Sequence, residues 1–201
     1  PNGVDAERFR PRPADRPAIR EQLGFAETHF VVGHVGRVDP AKDHETLFRI
    51  VQTLHAEDPN VRLLMVGTGT DTPAMQARLA AHGIADITQA LGVRDDVEML
   101  YQAMDVFVFP SVTEGQPNAL IEAMLSGVPV VASDIAPIRG ALPEALTPRL
   151  FPPGDAAEAA QVIRRLRGTV GGESDRLRHW ARGRYDLADN LDAALSQLVN
   201  A

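Results

Sequence analysis

The stretch Asp105-Val106-Phe107-Val108-Phe109-Pro110-Ser111 is soon followed by Glu114-Gly115-Gln116-Pro117-Asn118-Ala119-Leu120-Ile121-Glu122-Ala123-Met124. The first part is an apolar run typical of a buried strand, and the second part is helix-like as far as Gly127. Ligands of open α/β sheets bind just outside the carboxyl ends of the strands. This order therefore predicts that Glu114 lies in a binding crevice. The helix start at Pro117-Asn118 would direct backbone N–H groups, which suit an anion, to the same place.

Strand-like and helix-like segments alternate along the rest of the chain. Strands are predicted at 29–35, 61–66, 87–91, 105–109 and 128–132. Helices are predicted at 18–23, after caps at Asp43, Thr72 and Asp95, and at 155–166, 174–185 and 187–199. Such alternation implies right-handed βαβ units and a mostly parallel sheet with helices on both faces. The predicted fold class is α/β, a Rossmann-like doubly wound sheet.

Amino-acid composition and net charge exclude several kinds of site and argue against one class of partner. The 201 residues are 44% hydrophobic and 23% charged, which suits one soluble domain with a sizeable core. The absence of cysteine excludes disulfides, thiolate metal sites and a cysteine nucleophile. A net charge of −7 argues against nucleic acid as the main partner. The Pro- and Arg-rich residues 1–14 read as an interdomain linker, so we expect the chain to be the second half of a longer protein.

The paired glutamates Glu114 and Glu122 resemble the motif of retaining glycosyltransferases of the GT-B fold, the large family-four group also called glycosyl transferases group 1. Gly36-Arg37 followed by Lys42 is similar to the phosphate-binding arginine and lysine of that family. Other segments resemble the family in the same order, namely 1–5, 63–69, 127–133 and 151–155. The resemblance covers nearly the whole chain, and it implies that the chain is the C-terminal, donor-binding half of such an enzyme.

The resemblance also implies roles for individual residues. Arg37 and Lys42 would stabilise the leaving group of a nucleoside diphosphate sugar of the UDP or GDP type, without a metal or another cofactor. Glu114 would lie near the donor sugar and the anomeric centre, where its chemical role is open. Glu122 would accept hydrogen bonds from the ribose hydroxyls. Further contacts to the donor are predicted from Gly67, Gly92, Val93, Arg94, Gly115, Gln116, Pro117, Asn118 and Ala119.

Each of these residue types also has a purely structural explanation. A lone Arg or Lys in a loop is usually a solvated charge, and Gly67 is first of all a tight-turn residue. Arg94 is as well explained by solvation as by stacking on a base. His34 and His44 flank the proposed phosphate loop. Their spacing is not that of metal ligands, so both are interpreted as structural or exposed. Asp39 is expected to pair with nearby Lys42.

The partners follow from the same resemblance. Residues 15–186 are predicted to form the donor domain, and 187–201 a helix that crosses to a missing N-terminal domain, which would select a glycan, lipid or small-molecule acceptor. That helix carries an apolar stripe that could instead pack locally, pair with a second copy or fray, formed by Leu187, Leu191, Leu195 and Leu198. A cytoplasmic location is expected, with peripheral membrane contact through the missing domain as an option. A non-hydrolysing nucleotide-sugar epimerase and a non-catalytic nucleotide-binding module stay as alternatives.

Overall fold

A computed structural model describes residues 3–167 and 173–188, except the side chains of Pro148, Glu173 and Ser174. Six parallel strands form one sheet in the order β3-β2-β1-β4-β5-β6. The strands are β1 Phe30–Val35, β2 Val61–Val66, β3 Thr88–Ala90, β4 Val106–Phe109, β5 Val130–Ser133 and β6 Leu150–Phe151. This is the strand order of the Rossmann fold, which confirms the predicted fold class.

Helices cover both faces of the sheet. They are α1 Arg16–Gln22, α2 His44–Glu57, α3 Pro73–Ala81, α4 Val97–Ala103, α5 Asn118–Leu125, α6 Ala136–Ala141, α7 Ala156–Arg167 and α8 Glu173–Tyr185. Two of the predicted caps are confirmed: Asp43 accepts a hydrogen bond from the Thr46 N–H, and Thr72 accepts one from the Met75 N–H. The predicted cap at Asp95 is wrong. Asp96 occupies that position, and its carboxylate binds Arg94 instead of a helix N–H.

The core consists of two apolar layers, one on each face of the sheet. On one face α2 packs against α7, and Leu47, Ile50 and Val51 of α2 are fully buried. On the other face α5 packs against α8, and α1 packs against α4. Because both faces are covered, strands such as β4 are buried at every position instead of alternating. The core therefore holds the carboxyl ends of the strands rigidly in register.

Two elements near the C-terminal side of the sheet were not predicted. The strand β6 has only two residues, and α6 has six, including Pro137 and Gly140. Such short segments carry no readable periodicity. The strand β6 forms because it pairs with β5, and α6 buries Ile138 and Ala141 in the core. The other strands and helices match their predicted positions to within about two residues, as is usual for element boundaries.

The first described residues pack on the core. Val4, Ala6 and Phe9 are buried in the layer that contains α5 and α8, and Val4 forms an isolated parallel bridge with Asp186. The two ends of the described chain therefore meet at one place. The predicted helix from 187 lies outside the described residues beyond Ala188, and Leu187 is 40% exposed. Within the described ranges, no helix is both long and apolar enough to cross a membrane.

Candidate functional site

The candidate site lies where the strand order reverses, between β1 and β4. These strands are neighbours, but the chain leaves β1 toward β2 on one side and leaves β4 toward β5 on the other. The two connecting loops therefore diverge and leave a crevice at the carboxyl edge, the usual ligand position of this fold. One hydrogen bond joins the loops at their base, from the Val112 N–H to the Ala41 carbonyl, at 2.9 Å. Arg37, Lys42 and Glu114 all lie on these two loops.

Lys42 and Glu114 form an ion pair across the crevice. The Lys42 Nζ lies 2.5 Å from Glu114 Oε1 and 4.9 Å from the centre of the Phe109 ring. The side chains are only 17% and 9% exposed. The two residues, although far apart in sequence, therefore lie in contact at the crevice, and their common role in a ligand site stays a prediction. The pair supplies each charge with the partner that partly buried ionised groups need.

Arg37 is far more open than Lys42. Its side chain is 71% exposed, and its Nε lies 3.4 Å from Asp39 Oδ2. The other oxygen of Asp39 accepts the Ala41 N–H at 2.8 Å and thereby caps a short 3-10 turn at Pro40–Lys42. The expected pairing of Asp39 with Lys42 is wrong, because Lys42 is bound to Glu114 and the Asp39 carboxylate is turned toward Arg37. The guanidinium keeps most of its donor fork open to solvent or to a ligand.

Gly67, after β2, forms the wall next to Arg37. Its φ is 134°, and a Cβ at this position would lie 2.3 Å from the Gly36 carbonyl oxygen. The Gly67 N–H donates to the Gly92 carbonyl at 2.7 Å, so the loops after β1, β2 and β3 are layered side by side. The interpretation of Gly67 as a tight-turn residue is confirmed, and its close backbone contact fixes the position of the Gly36-Arg37 turn.

The loop Gly92-Val93-Arg94 lies farther along the same edge. Gly92 is buried and donates its N–H to Thr70 Oγ1 at 3.0 Å, whereas Val93 is 70% exposed. Arg94 binds the carboxylate of Asp96 with two hydrogen bonds of 2.8 and 2.7 Å. Its fork is therefore engaged, and the flat face of the guanidinium is the part left for a base to stack on. The contact of this loop with a nucleobase stays a prediction.

Glu122 lies one turn inside α5 and is half-buried. The Tyr101 hydroxyl lies 3.1 Å from Glu122 Oε2 and 3.0 Å from the Ala119 carbonyl oxygen, and its single O–H is shared between these two acceptors. Burial raises the pKa of Glu122, and the Tyr101 hydrogen bond partly opposes this rise. The carboxylate thus has one protein donor, and its remaining lone pairs can accept from hydroxyl groups of a ligand.

The segment between the two glutamates shapes the start of α5. Pro117 is buried at the N-cap position, and Gly115 and Asn118 are exposed. The Asn118 N–H donates to the Gln116 carbonyl at 2.9 Å, and the Leu120 N–H donates to Pro117 at 3.1 Å. The Asn118 amide, expected to face an anion, is therefore engaged in the turn itself. Gln116 and Ala119 are half-buried beside them, and their contact with a donor stays a prediction.

Two buried histidines lie beneath the loop that carries Arg37 and Lys42. His34, in β1, is fully buried, and its Nδ1 donates to the Val108 carbonyl at 3.0 Å. Its ring centre lies 5.0 Å from that of His44, at the start of α2. The Nε2 atoms of both rings have no hydrogen-bond partner among the described residues. Burial, aided by neighbouring positive charge, lowers the pKa of His34 to about 3 and that of His44 to about 4, so both rings are neutral at physiological pH.

The sequence signalled neither the burial of these histidines nor their contact. Their positions in an apolar strand and at a helix start are compatible with a structural role, and the structure agrees with that part of the interpretation. A Cβ on Gly36 would lie 3.0 Å from His34 Nε2 and 3.6 Å from Lys42 Cδ, which places the ring directly under the Gly36-Arg37 turn. Among the described residues, no group of three or more His, Asp or Glu side chains could hold a metal ion.

Comparison with known proteins decides the family. The model of the family "Glycosyl transferases group 1" matches residues 29–168, which include both loops of the crevice and both glutamates. The chain belongs to this family. A D-inositol 3-phosphate glycosyltransferase of Geodermatophilus obscurus is 38% identical over 176 residues, 82% of this chain and 38% of that protein. The corresponding enzyme of Nocardia farcinica is 31% identical. That match covers 100% of this chain and 48% of the Nocardia protein.

A solved structure has the same fold as this chain. HepE from Anabaena, solved in complex with UDP and glucose, superimposes with a TM-score of 0.88 at 25% identity. The match covers 100% of this chain and 56% of the HepE chain. The chain therefore spans about half the length of these proteins that it matches.

Proposed function

We propose that this chain is the donor-binding half of a retaining glycosyltransferase that takes its sugar from a nucleoside diphosphate of the uridine type. The observation that carries the proposal is the arrangement at the β1–β4 crevice. There an open arginine and a lysine paired with Glu114 lie on loops at the carboxyl ends of the strands, and Glu122 lies in α5, the helix that follows the Glu114 loop. The UDP bound to HepE supports uridine as the first nucleotide to test.

The chemistry fits transfer from a diphosphate leaving group. Breaking the sugar–oxygen bond leaves negative charge on the diphosphate, and the fixed positive charges of Arg37 and Lys42 stabilise that charge. Arg37 can contact two phosphate oxygens with its fork, whereas Lys42 contributes a point charge. Lys42 is partly neutralised by Glu114, so the more exposed Arg37 contributes the larger share of the binding.

The two glutamates have different surroundings, which supports a division of roles. Glu114 is held by Lys42 at the base of the crevice, where a sugar attached to the diphosphate would lie, and Glu122 is held by Tyr101 on α5. We assign Glu122 to the ribose hydroxyls and Glu114 to the sugar side. Retention of configuration, the acceptor, the N-terminal half and a position at the cytoplasmic membrane face belong to the proposal for the whole protein. They rest on the family pattern.

Calorimetric titration of the chain with UDP, GDP and ADP tests the proposal. UDP should bind, and Arg37→Ala should weaken it by about 2 kcal/mol because one charge-assisted contact is lost. Lys42→Ala should weaken it in the same direction. Arg167→Ala is the matched control: that arginine pairs with Asp58 and stacks on Phe30 at the start of β1, the opposite edge of the sheet. UDP affinity that is the same in all three variants and the unaltered chain would refute a phosphate site at Arg37 and Lys42.

The same titration separates the alternative functions. If the chain prefers GDP, the proposed nucleobase changes from uracil to guanine, and the proposed phosphate site stands. Binding of UDP without any turnover, when the full-length protein is given nucleotide sugars and acceptors, would favour a non-catalytic nucleotide-binding module. Conversion of a free nucleotide sugar to its epimer without an acceptor would favour the epimerase.

A further inference from the structure

Asp39 lies between Arg37 and Lys42 in the sequence, and these are the two positively charged residues of the crevice. Its Oδ1 accepts the Ala41 N–H at 2.8 Å, which caps the short turn that carries Lys42. Its Oδ2 lies 3.4 Å from Arg37 Nε. One carboxylate thus orders the loop of the lysine and orients the side chain of the arginine.

The Arg37–Asp39 pair differs from the Lys42–Glu114 pair in its exposure to water. Arg37 and Asp39 are 71% and 32% exposed, against 17% and 9% for Lys42 and Glu114. Exposed ion pairs are weak and are screened by salt. A diphosphate can therefore replace Asp39 as the partner of Arg37 at little cost. The pKa of Asp39 is lowered, mainly by the Ala41 N–H and also by Arg37, so its negative charge remains in place beside the incoming anion.

We propose that Asp39 is a positioning residue, the internal counterion of Arg37, that competes with the diphosphate for the guanidinium. Resting on the proposed function, this assigns to Asp39 a second effect on the reaction. It keeps the arginine oriented before the donor arrives, and it lowers the affinity for both the donor and the nucleoside diphosphate product. A site with a counterion of this kind releases its product faster than one in which the arginine has no partner.

A purely structural role for Asp39 makes a different prediction, and one substitution separates the two. Asp39→Asn keeps an oxygen that can accept the Ala41 N–H but removes the negative charge that faces Arg37. Asp39→Ala removes both. If Asp39 only caps the turn, the Asn variant should bind UDP like the unaltered chain and the Ala variant should bind it more weakly.

The chain offers a close control at the opposite edge of the sheet. Asp58 accepts the N–H of the residue two positions later, Asn60, at 2.9 Å, and its other oxygen lies 2.7 Å from Arg167 Nη2. The same carboxylate geometry thus recurs away from the crevice. Asp58→Asn removes an equivalent charge and changes the net charge of the chain by the same amount.

The experiment is calorimetric titration with UDP at low and at high salt. Asp39→Asn should bind UDP roughly twofold to fivefold more tightly at low salt, the size of an exposed ion pair, and the gain should shrink at high salt. Asp58→Asn should leave the affinity unchanged. In the Arg37→Ala background the gain from Asp39→Asn should disappear, because Asp39 acts through Arg37.

The outcomes distinguish this inference from the proposed function. If UDP binding depends on Arg37 but Asp39→Asn binds no more tightly, the counterion role is refuted and the phosphate site stands. A gain that persists undiminished in the Arg37→Ala background also refutes it, since Asp39 would then repel the ligand directly. If the unaltered chain binds none of UDP, GDP and ADP, or binds them equally well without Arg37 and Lys42, the proposed function fails, and the inference fails with it.

Discussion

Lowering the pH should destabilise this protein well before its carboxylates become protonated, because of the buried histidines His34 and His44. Both have a folded-state pKa far below the ordinary value of 6.5, about 3 for His34 and about 4 for His44. The unfolded chain takes up protons as the pH falls below 6.5, whereas the folded chain keeps both rings neutral until the pH approaches these lower values. Stability is therefore greatest above the unfolded pKa and falls steadily as the pH drops below it.

The expected loss follows from the size of the two shifts. One pH unit over which only the unfolded state titrates changes the free energy of unfolding by about 1.4 kcal/mol per group. Between about pH 7 and pH 5, each histidine should therefore cost about 2 kcal/mol, and the two together about 4 kcal/mol. That is a large part of the 5–15 kcal/mol or so that stabilises a typical domain. Glu122 acts in the opposite direction, because its raised pKa favours the folded state on acidification.

Urea unfolding at both pH values measures this effect, and His34→Asn isolates one of the two rings. The Asn amide can still donate to the Val108 carbonyl, as His34 Nδ1 does. Any loss of packing in the variant is the same at both pH values and cancels in the difference, so the variant should lose about 2 kcal/mol less on acidification than the unaltered chain does. The control is His179→Asn, on the exposed face of α8. A pH dependence that His34→Asn leaves unchanged would show that the buried ring is not the cause.

Two further predictions concern the walls of the crevice. Gly67→Ala should lower the free energy of unfolding by about 3 kcal/mol or more, because its Cβ would lie 2.3 Å from the Gly36 carbonyl oxygen at a φ of 134°; Gly183→Ala, where a Cβ meets nothing within 4 Å, should cost nothing in the same denaturation experiment. Glu122→Gln should weaken UDP binding in calorimetry but not the binding of an analogue without ribose hydroxyls, since a carboxylate accepts from both hydroxyls and an amide offers one fewer acceptor. If Glu122→Gln loses equal affinity for UDP and for the analogue, Glu122 does not bind the ribose hydroxyls.

Local chemistry explains what the sequence could predict about the fold. Thr72 followed by Pro73 and Asp43 before an apolar helical stripe are signals that act within one turn of helix, and both caps form as predicted. The uninterrupted apolar run of β4 reflects burial on both faces, which is a property of parallel sheets. By contrast, β6 exists because β5 offers it a partner, and α6 because the core covers Ile138 and Ala141; no short-range pattern encodes these contacts.

The same distinction applies to the candidate site. The sequence placed Arg37, Lys42 and Glu114 on loops at one edge because strand ends can be read from apolar runs. The sequence could not predict which carboxylate forms an ion pair with which of the two positive side chains. Asp39 is closer in sequence to Lys42 than Glu114 is, yet Lys42 binds Glu114 across the crevice. The reason is that the Ala41 N–H fixes one oxygen of Asp39 and directs the other to Arg37, a choice made by the turn geometry.

The Lys42–Glu114 pair is more buried than the Arg37–Asp39 pair, and this difference indicates that the two pairs respond differently to a bound ligand. Removing either partner of a sheltered pair such as Lys42–Glu114 leaves a charge without compensation where water is scarce, so this pair should persist when a ligand binds. The exposed Arg37 loses little by exchanging Asp39 for a phosphate, because water screens both states. Binding energy should therefore come mainly from Arg37. In the transfer reaction that we propose, Lys42 and Glu114, held together, would then keep a fixed positive and a fixed negative charge beside the bond that breaks. That arrangement suits a reaction in which the leaving diphosphate gains negative charge while the sugar gains positive charge.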